Sequence, residues 1–107
     1  MEKAMTVDEL QSYMTKFRGK HNQVPVISCQ DGFQMSVQAS ESHYCDPKRN
    51  YGPWSKVEIG YPKPYEPALE QWHDMDNIYV FVPIEVVCEV IEKHGGVNLD
   101  WDYYKII

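Results

Sequence analysis

The amino-acid sequence predicts an α+β fold: a small antiparallel sheet of about four strands with two main helices packed on one face. Three patterns carry this expectation. A helix-start signature leads into apolar residues spaced by three and four near the N-terminus, alternating stretches then flank an Asp-Gly turn, and a Pro-led apolar run closes at Gly-Gly. The short Asp-Gly link between the first two strands makes them antiparallel neighbours.

Thr6 and Glu9 have the spacing of a capping box, in which hydroxyl and carboxylate satisfy free N–H groups, so a helix is expected to start near Thr6. Val7, Leu10, Met14 and Phe17 form its buried stripe, Gly19 ends it, and Lys16, Arg18 and Lys20 complement its dipole. Residues 1–5 are expected to fray. Residues 24–29 and 33–40 flank Asp31-Gly32 as a hairpin, with Phe33, Met35, Val37 and Ala39 on one face and Gln34, Ser36, Gln38 and Ser40 on the other. Asp46-Pro47, Asn50 and Gly52-Pro53 make residues 41–53 a long connection.

Residues 54–61 read as a third strand, with Val57, Ile59 and Tyr61 opposite Lys56, Glu58 and Gly60. Pro62, Pro64 and Pro67 turn residues 61–67 into an extended connector, because proline cannot donate to a ladder. A short helix is expected over residues 68–75 and a fourth strand over 77–82. Pro83 suits a first helical position, Ile84, Val87, Cys88 and Ile91 mark a buried stripe, and Gly95-Gly96 suits the helix end. The tail, residues 97–107 with Trp101, Tyr103 and Tyr104, is expected to pack back or pair as an edge strand.

The 107 residues suit a single domain spanning the chain. No apolar run approaches the roughly 18–20 residues of a membrane helix, and Met1-Glu2-Lys3-Ala4-Met5 lacks a signal-peptide core, so neither membrane nor export is expected. Sixteen acidic against ten basic side chains give a net charge of −6, which argues against direct nucleic-acid binding through phosphate attraction. Cys29, Cys45 and Cys88 form no CxxC pair and suit reduced thiols.

The densest group of bonding and stacking side chains runs from Ser36 to Trp54. Ser36, Gln38 and Ser40 would project together from the strand, with His43, Tyr44 and Arg49 folded over them and Trp54 beside them. Hydroxyls and amides fix orientation, a ring stacks, and arginine binds a carboxylate or phosphate, so these residues read as a site for a small polar ligand. The plainer reading is a solvated strand face under a structural loop. His43 and Cys45 also suggest zinc ligands, completed from His73, His94, Cys29 or Cys88, but paired knuckles are lacking and no metal or cofactor is implied. As a nucleophile and base the same pair has no supporting motif, and Glu70, His73, Asp74 and Asp76 read best as a solvated polar cluster. The residues therefore favour binding over catalysis. Trp54, Tyr61, Tyr65, Trp72 and the tail aromatics exceed what a small core needs, which suits satellite packing or an interface, including a homo-oligomer.

The segments Asp31-Gly32-Phe33-Gln34-Met35-Ser36-Val37-Gln38-Ala39-Ser40, His43-Tyr44-Cys45 with Pro47, Gly52-Pro53, Val57-Glu58-Ile59-Gly60-Tyr61-Pro62, Val82-Pro83-Ile84-Glu85 and His94-Gly95-Gly96 resemble a family of small hypothetical proteins of tailed bacteriophages. The resemblance covers most of residues 24–96 and implies an accessory protein in the cytoplasm of an infected bacterium, countering host defence. It assigns no catalytic residues. The leading expectation is sequestration of a small, nucleotide-like ligand without catalysis. The alternatives are a protein-protein inhibitor of a host defence complex, of the anti-CRISPR kind, using the acidic aromatic segment Asp100-Trp101-Asp102-Tyr103-Tyr104, and a small hydrolase of a signalling nucleotide.

Overall fold

The first helix begins as the capping box requires: Thr6 Oγ1 accepts from the Glu9 N–H at 3.1 Å and the Glu9 carboxylate accepts from the Thr6 N–H at 3.0 Å. In the computed structural model residues 4–98 are described. Helix α1 (Val7–Lys16) buries Leu10, Tyr13 and Met14, while Val7 and Phe17 pack at the margin of the core. Met5, expected to fray, is buried. A short 3₁₀ turn at Lys20–Asn22 follows.

The hairpin forms β1 (Ile27–Ser28) and β2 (Gln34–Gln38), paired antiparallel with Ile27 opposite Met35. Its turn uses Gly32 at φ 94°, a left-handed conformation that favours glycine. Strand β3 (Lys56–Lys63) pairs with β2, and β5 (Ile78–Pro83) pairs with the other side of β3. Between them in sequence lie a 3₁₀ helix (Pro67–Trp72) and β4 (His73–Met75), which pairs with β5. The result is an antiparallel sheet of five strands in the order β1-β2-β3-β5-β4. Helix α2 (Ile84–Lys93) follows β5 directly. Met35, Val37, Val57, Ile59, Tyr79 and Val82 share one core with Leu10, Met14, Val87 and Ile91, so both helices cover the same sheet face. The α+β class stands, with one strand more than the sequence pattern suggests.

Several local expectations need correction. Residues 73–75 form a strand because they pair with β5; all three side chains are exposed, so they carry no apolar alternation. Strand β3 runs past Pro62 to Lys63, which pairs with Gln34 across a register shift that absorbs the proline. Tyr61, at φ 53° in this irregular stretch, is exposed and does not share the inward face of Val57 and Ile59. In α2 the fourth fully buried position is Val90; Cys88 lies partly buried. Pro83 precedes the helix as its N-cap, and α2 ends at Gly95 and Gly96, with φ of 87° and 85°. Val97 is buried and bridges Cys29 at the sheet edge; the rest of the predicted tail, including Trp101, Tyr103 and Tyr104, lies outside the described residues.

Candidate functional site

Ahead of β1, the backbone of Val24 pairs with a side chain from β2 and not with a strand. Gln38 Oε1 accepts from the Val24 N–H, and Gln38 Nε2 donates to the Val24 carbonyl, both at 2.8 Å. Nε2 also donates to Ser36 Oγ at 2.9 Å. Gln38 is therefore buried and its amide satisfied, where the alternation alone would have it facing solvent. Gln11 of α1 makes a second clamp of the same kind on Trp54, accepting from its N–H at 3.0 Å and donating to its carbonyl at 2.7 Å. The Trp54 ring is buried, its indole N–H donates to the Arg49 carbonyl, and the Arg18 guanidinium lies 5.3 Å from the ring centroid.

Of the three loop residues expected to fold over the strand, His43 reaches Ser40, whereas the exposed Tyr44 ring meets Phe81 and Lys48 and Arg49 bonds the Tyr51 and Gly52 carbonyls of its own loop. Ser40 is fully buried and its hydroxyl lies 2.7 Å from His43 Nδ1. His43 Nε2 faces the Gln23 amide nitrogen at 3.0 Å. Both ring nitrogens of His43 are thus engaged, one with Ser40 and one with Gln23. Burial holds the imidazole below its usual value, with Glu58 acting upward and Arg18 downward. Cys45 is buried, donates to the Ser40 and Pro47 carbonyls, and is pushed up by burial. His43 thus engages Ser40 and Gln23, while the Cys45 thiol engages backbone carbonyls. Among the described residues no three His, Cys, Asp or Glu side chains converge to hold a metal ion, so the zinc set suggested by His43 and Cys45 is not assembled.

Of the seven candidate residues, Gln38, Ser40, His43 and Trp54 are buried and Ser36 is partly buried, whereas Tyr44 is exposed and Arg49 half-exposed. Arg49 points to what lies next to this support. Its guanidinium stacks 4.3 Å from the Tyr51 ring centroid, while Nε and Nη2 donate to the Tyr51 and Gly52 carbonyls. Tyr51, Gly52 and Pro53 then face Gln11, Ser12, Thr15 and Lys16 of α1 across an open cleft of about 520 Å³. Gly52 is needed there: a Cβ would meet the Trp54 ring at 3.0 and 3.1 Å and Gln11 Oε1 at 3.3 Å. The Gln11–Trp54 clamp therefore fixes the cleft floor. Tyr51 is 65% exposed and carries Arg49 on its ring, and Lys16 also lines the cleft, so a ring and a cation meet there in an otherwise acidic protein. Ser12, Thr15 and Lys16 fall outside the sequence-level candidates because they share a helix face only after α1 forms beside the loop.

A separate polar array escapes sequence reading altogether. His94 Nδ1 lies 2.6 Å from Asp31 Oδ2, and His94 Nε2 lies 2.6 Å from Glu66 Oε1. Glu66 is 1% exposed and also accepts from Lys93 Nζ and the Ala68 N–H. Phe33 stacks on the imidazole at 4.0 Å. Glu70, His73 and Asp76 are exposed and joined by local contacts, as a solvated cluster would be.

Comparison of the chain with models of known protein families, with curated proteins and with solved structures finds no match.

Proposed function

We propose that this protein binds and holds a small anionic, nucleotide-like molecule in the cleft between α1 and the loop at residues 49–53, without transforming it. The observation that carries the reading is the cleft of about 520 Å³ lined by exposed Tyr51 and by Lys16, with Arg49 stacked on the Tyr51 ring beside it. That volume suits a small ligand, the ring offers a stacking face, and the cations offer partners for a phosphate or carboxylate. Ser12 and Thr15 supply hydroxyls for orientation. The engagement of both His43 ring nitrogens and the burial of the Cys45 thiol against backbone carbonyls support binding over catalysis. Taken with the sequence resemblance to tailed-phage proteins, we read such binding as sequestration that counters host defence.

A second reading, a protein-protein inhibitor, draws on exposed Tyr44 and Phe81, whose rings meet edge to face at 6.2 Å beside Lys48. Calorimetry with a panel of mononucleotides, cyclic nucleotides and short oligonucleotide messengers separates these readings. Sequestration predicts saturable binding, weakened about three- to tenfold by Tyr51→Ala through lost stacking, with the ligand recovered at unchanged mass. No heat from any nucleotide at protein concentrations well above micromolar would overturn it, and a changed ligand mass would point to the hydrolase.

A further inference from the structure

The array around His94 joins three parts of the chain: Asp31 from the β1–β2 turn, Glu66 ahead of the 3₁₀ helix, and His94 itself at the C-terminal end of α2. The same turn holds the segment after α2 through its backbone, since the Asp31 N–H donates to the His94 carbonyl and the Gln30 N–H to the Gly96 carbonyl. Only a doubly protonated imidazole donates to both carboxylates at once. We propose that this array is a proton-operated clasp: loss of one imidazole proton releases Asp31, and with it the turn's hold on residues 94–96, while Glu66 stays bound.

The direction of release follows from solvent access. Asp31 has a half-exposed side chain, so water replaces a lost donor, whereas Glu66 is buried and a lost donor there is not replaced. The neutral ring therefore keeps its proton on Nε2, facing Glu66, and gives up the one on Nδ1. Glu66 has further support from Lys93 of α2 and the Ala68 N–H. The described charged groups facing the array are thus Asp31 from the turn, Glu66 from the connector and Lys93 from α2; β2 contributes the uncharged Phe33 ring. Burial draws His94 down, but its bonds to Asp31 and Glu66 outweigh burial and raise it above its ordinary 6.5. The release consequently falls above that value.

An NMR pH titration of the intact protein tests the clasp. Ring nitrogen shifts report both the midpoint and the tautomer of His94, and amide exchange, expressed as protection, reports the turn. The expected result is a midpoint above 6.5, a neutral ring protonated on Nε2, and protection at Gln30 and Asp31 falling by about tenfold or more through the same midpoint. Protection at Ala68, whose N–H bonds Glu66, should stay level. Asp31→Asn should lower the midpoint. A midpoint at or below 6.5, a neutral ring protonated on Nδ1, or unchanged protection at Gln30 and Asp31 would each overturn the proposal; these readouts need only the wild-type chain.

Discussion

Replacing Gln38 with alanine distinguishes a ligand contact from a structural clamp. In the fold its amide makes hydrogen bonds of 2.8, 2.8 and 2.9 Å to Val24 N, Val24 O and Ser36 Oγ. Val24 is 5% exposed, so truncation leaves a buried backbone N–H and a buried carbonyl without these partners. Each such group costs about 1–3 kcal/mol, which gives about 2–6 kcal/mol for the pair. Against a domain stability of about 5–15 kcal/mol this is a large fraction, and at about 4–8 °C per kcal/mol it lowers Tm by at least about 8 °C. Gln38→Glu keeps one acceptor for the Val24 N–H but sets a carboxylate against the Val24 carbonyl, so it should not rescue. Thermal unfolding followed by circular dichroism reads the effect. A Gln38→Ala protein that melts within about 2 °C of wild type, a loss of under about 1 kcal/mol, would refute the clamp and return Gln38 to the surface.

The remaining predictions follow the same geometry. Gly52→Ala should cost about 1–3 kcal/mol, because its Cβ meets the Trp54 ring at 3.0 Å and the clamp must shift; urea unfolding midpoints measure it. Thr6→Ala should cost about 1 kcal/mol by removing the α1 cap, measured in the same way, whereas Tyr51→Ala, at an exposed ring, should stay within about 0.5 kcal/mol of wild type. The pH dependence has a definite sign. The raised His94 contributes stability that is fully present below its unfolded value near 6.5 and is lost as pH rises through its folded value. For Asp31 and Glu66 burial acts upward, but bonds to the Phe33 N–H and His94, and to Lys93, Ala68 and His94, respectively, leave both lowered. Their contributions are present above unfolded values near 3.8 and 4.5 and are lost as pH falls through the folded values. His43, lowered by burial, acts in the opposite sense to His94, so urea midpoints of wild type minus His94→Gln isolate the alkaline loss.

The sequence makes α1 and α2 readable because their signals are local: a capping box, an apolar stripe, a Gly-Gly stop. The hairpin is legible for the same reason, since Asp31-Gly32 and the alternation from Phe33 to Ala39 act over a few residues. Strand β4 is not, because His73, Asp74 and Met75 are exposed and owe their conformation to backbone pairing with β5. Alternation correctly puts Gln38 opposite Val37, but it does not reveal that Gln23 and Val24 arrive to bond the polar groups on that side, so a polar face reads as a ligand face. Asp31, Glu66 and His94 lie far apart in sequence, and only the packing of the turn, connector and helix end brings them together. Arg49 is the candidate residue that leads from the sequence reading to the cleft, through its stack on Tyr51.

Backbone and side-chain NMR shift mapping with a saturating mononucleotide or cyclic nucleotide tests the central claim most directly, because it separates the cleft from the buried polar support beneath it. Sequestration at the cleft predicts the largest shifts at Ser12, Thr15, Lys16, Tyr51 and Gly52, with Gln38, Ser40 and His43 little changed. Shifts centred on Gln38, Ser40 and His43, or on the groove lined by Ala68, Trp72, Val86 and Val90, or none with any nucleotide, would contradict it.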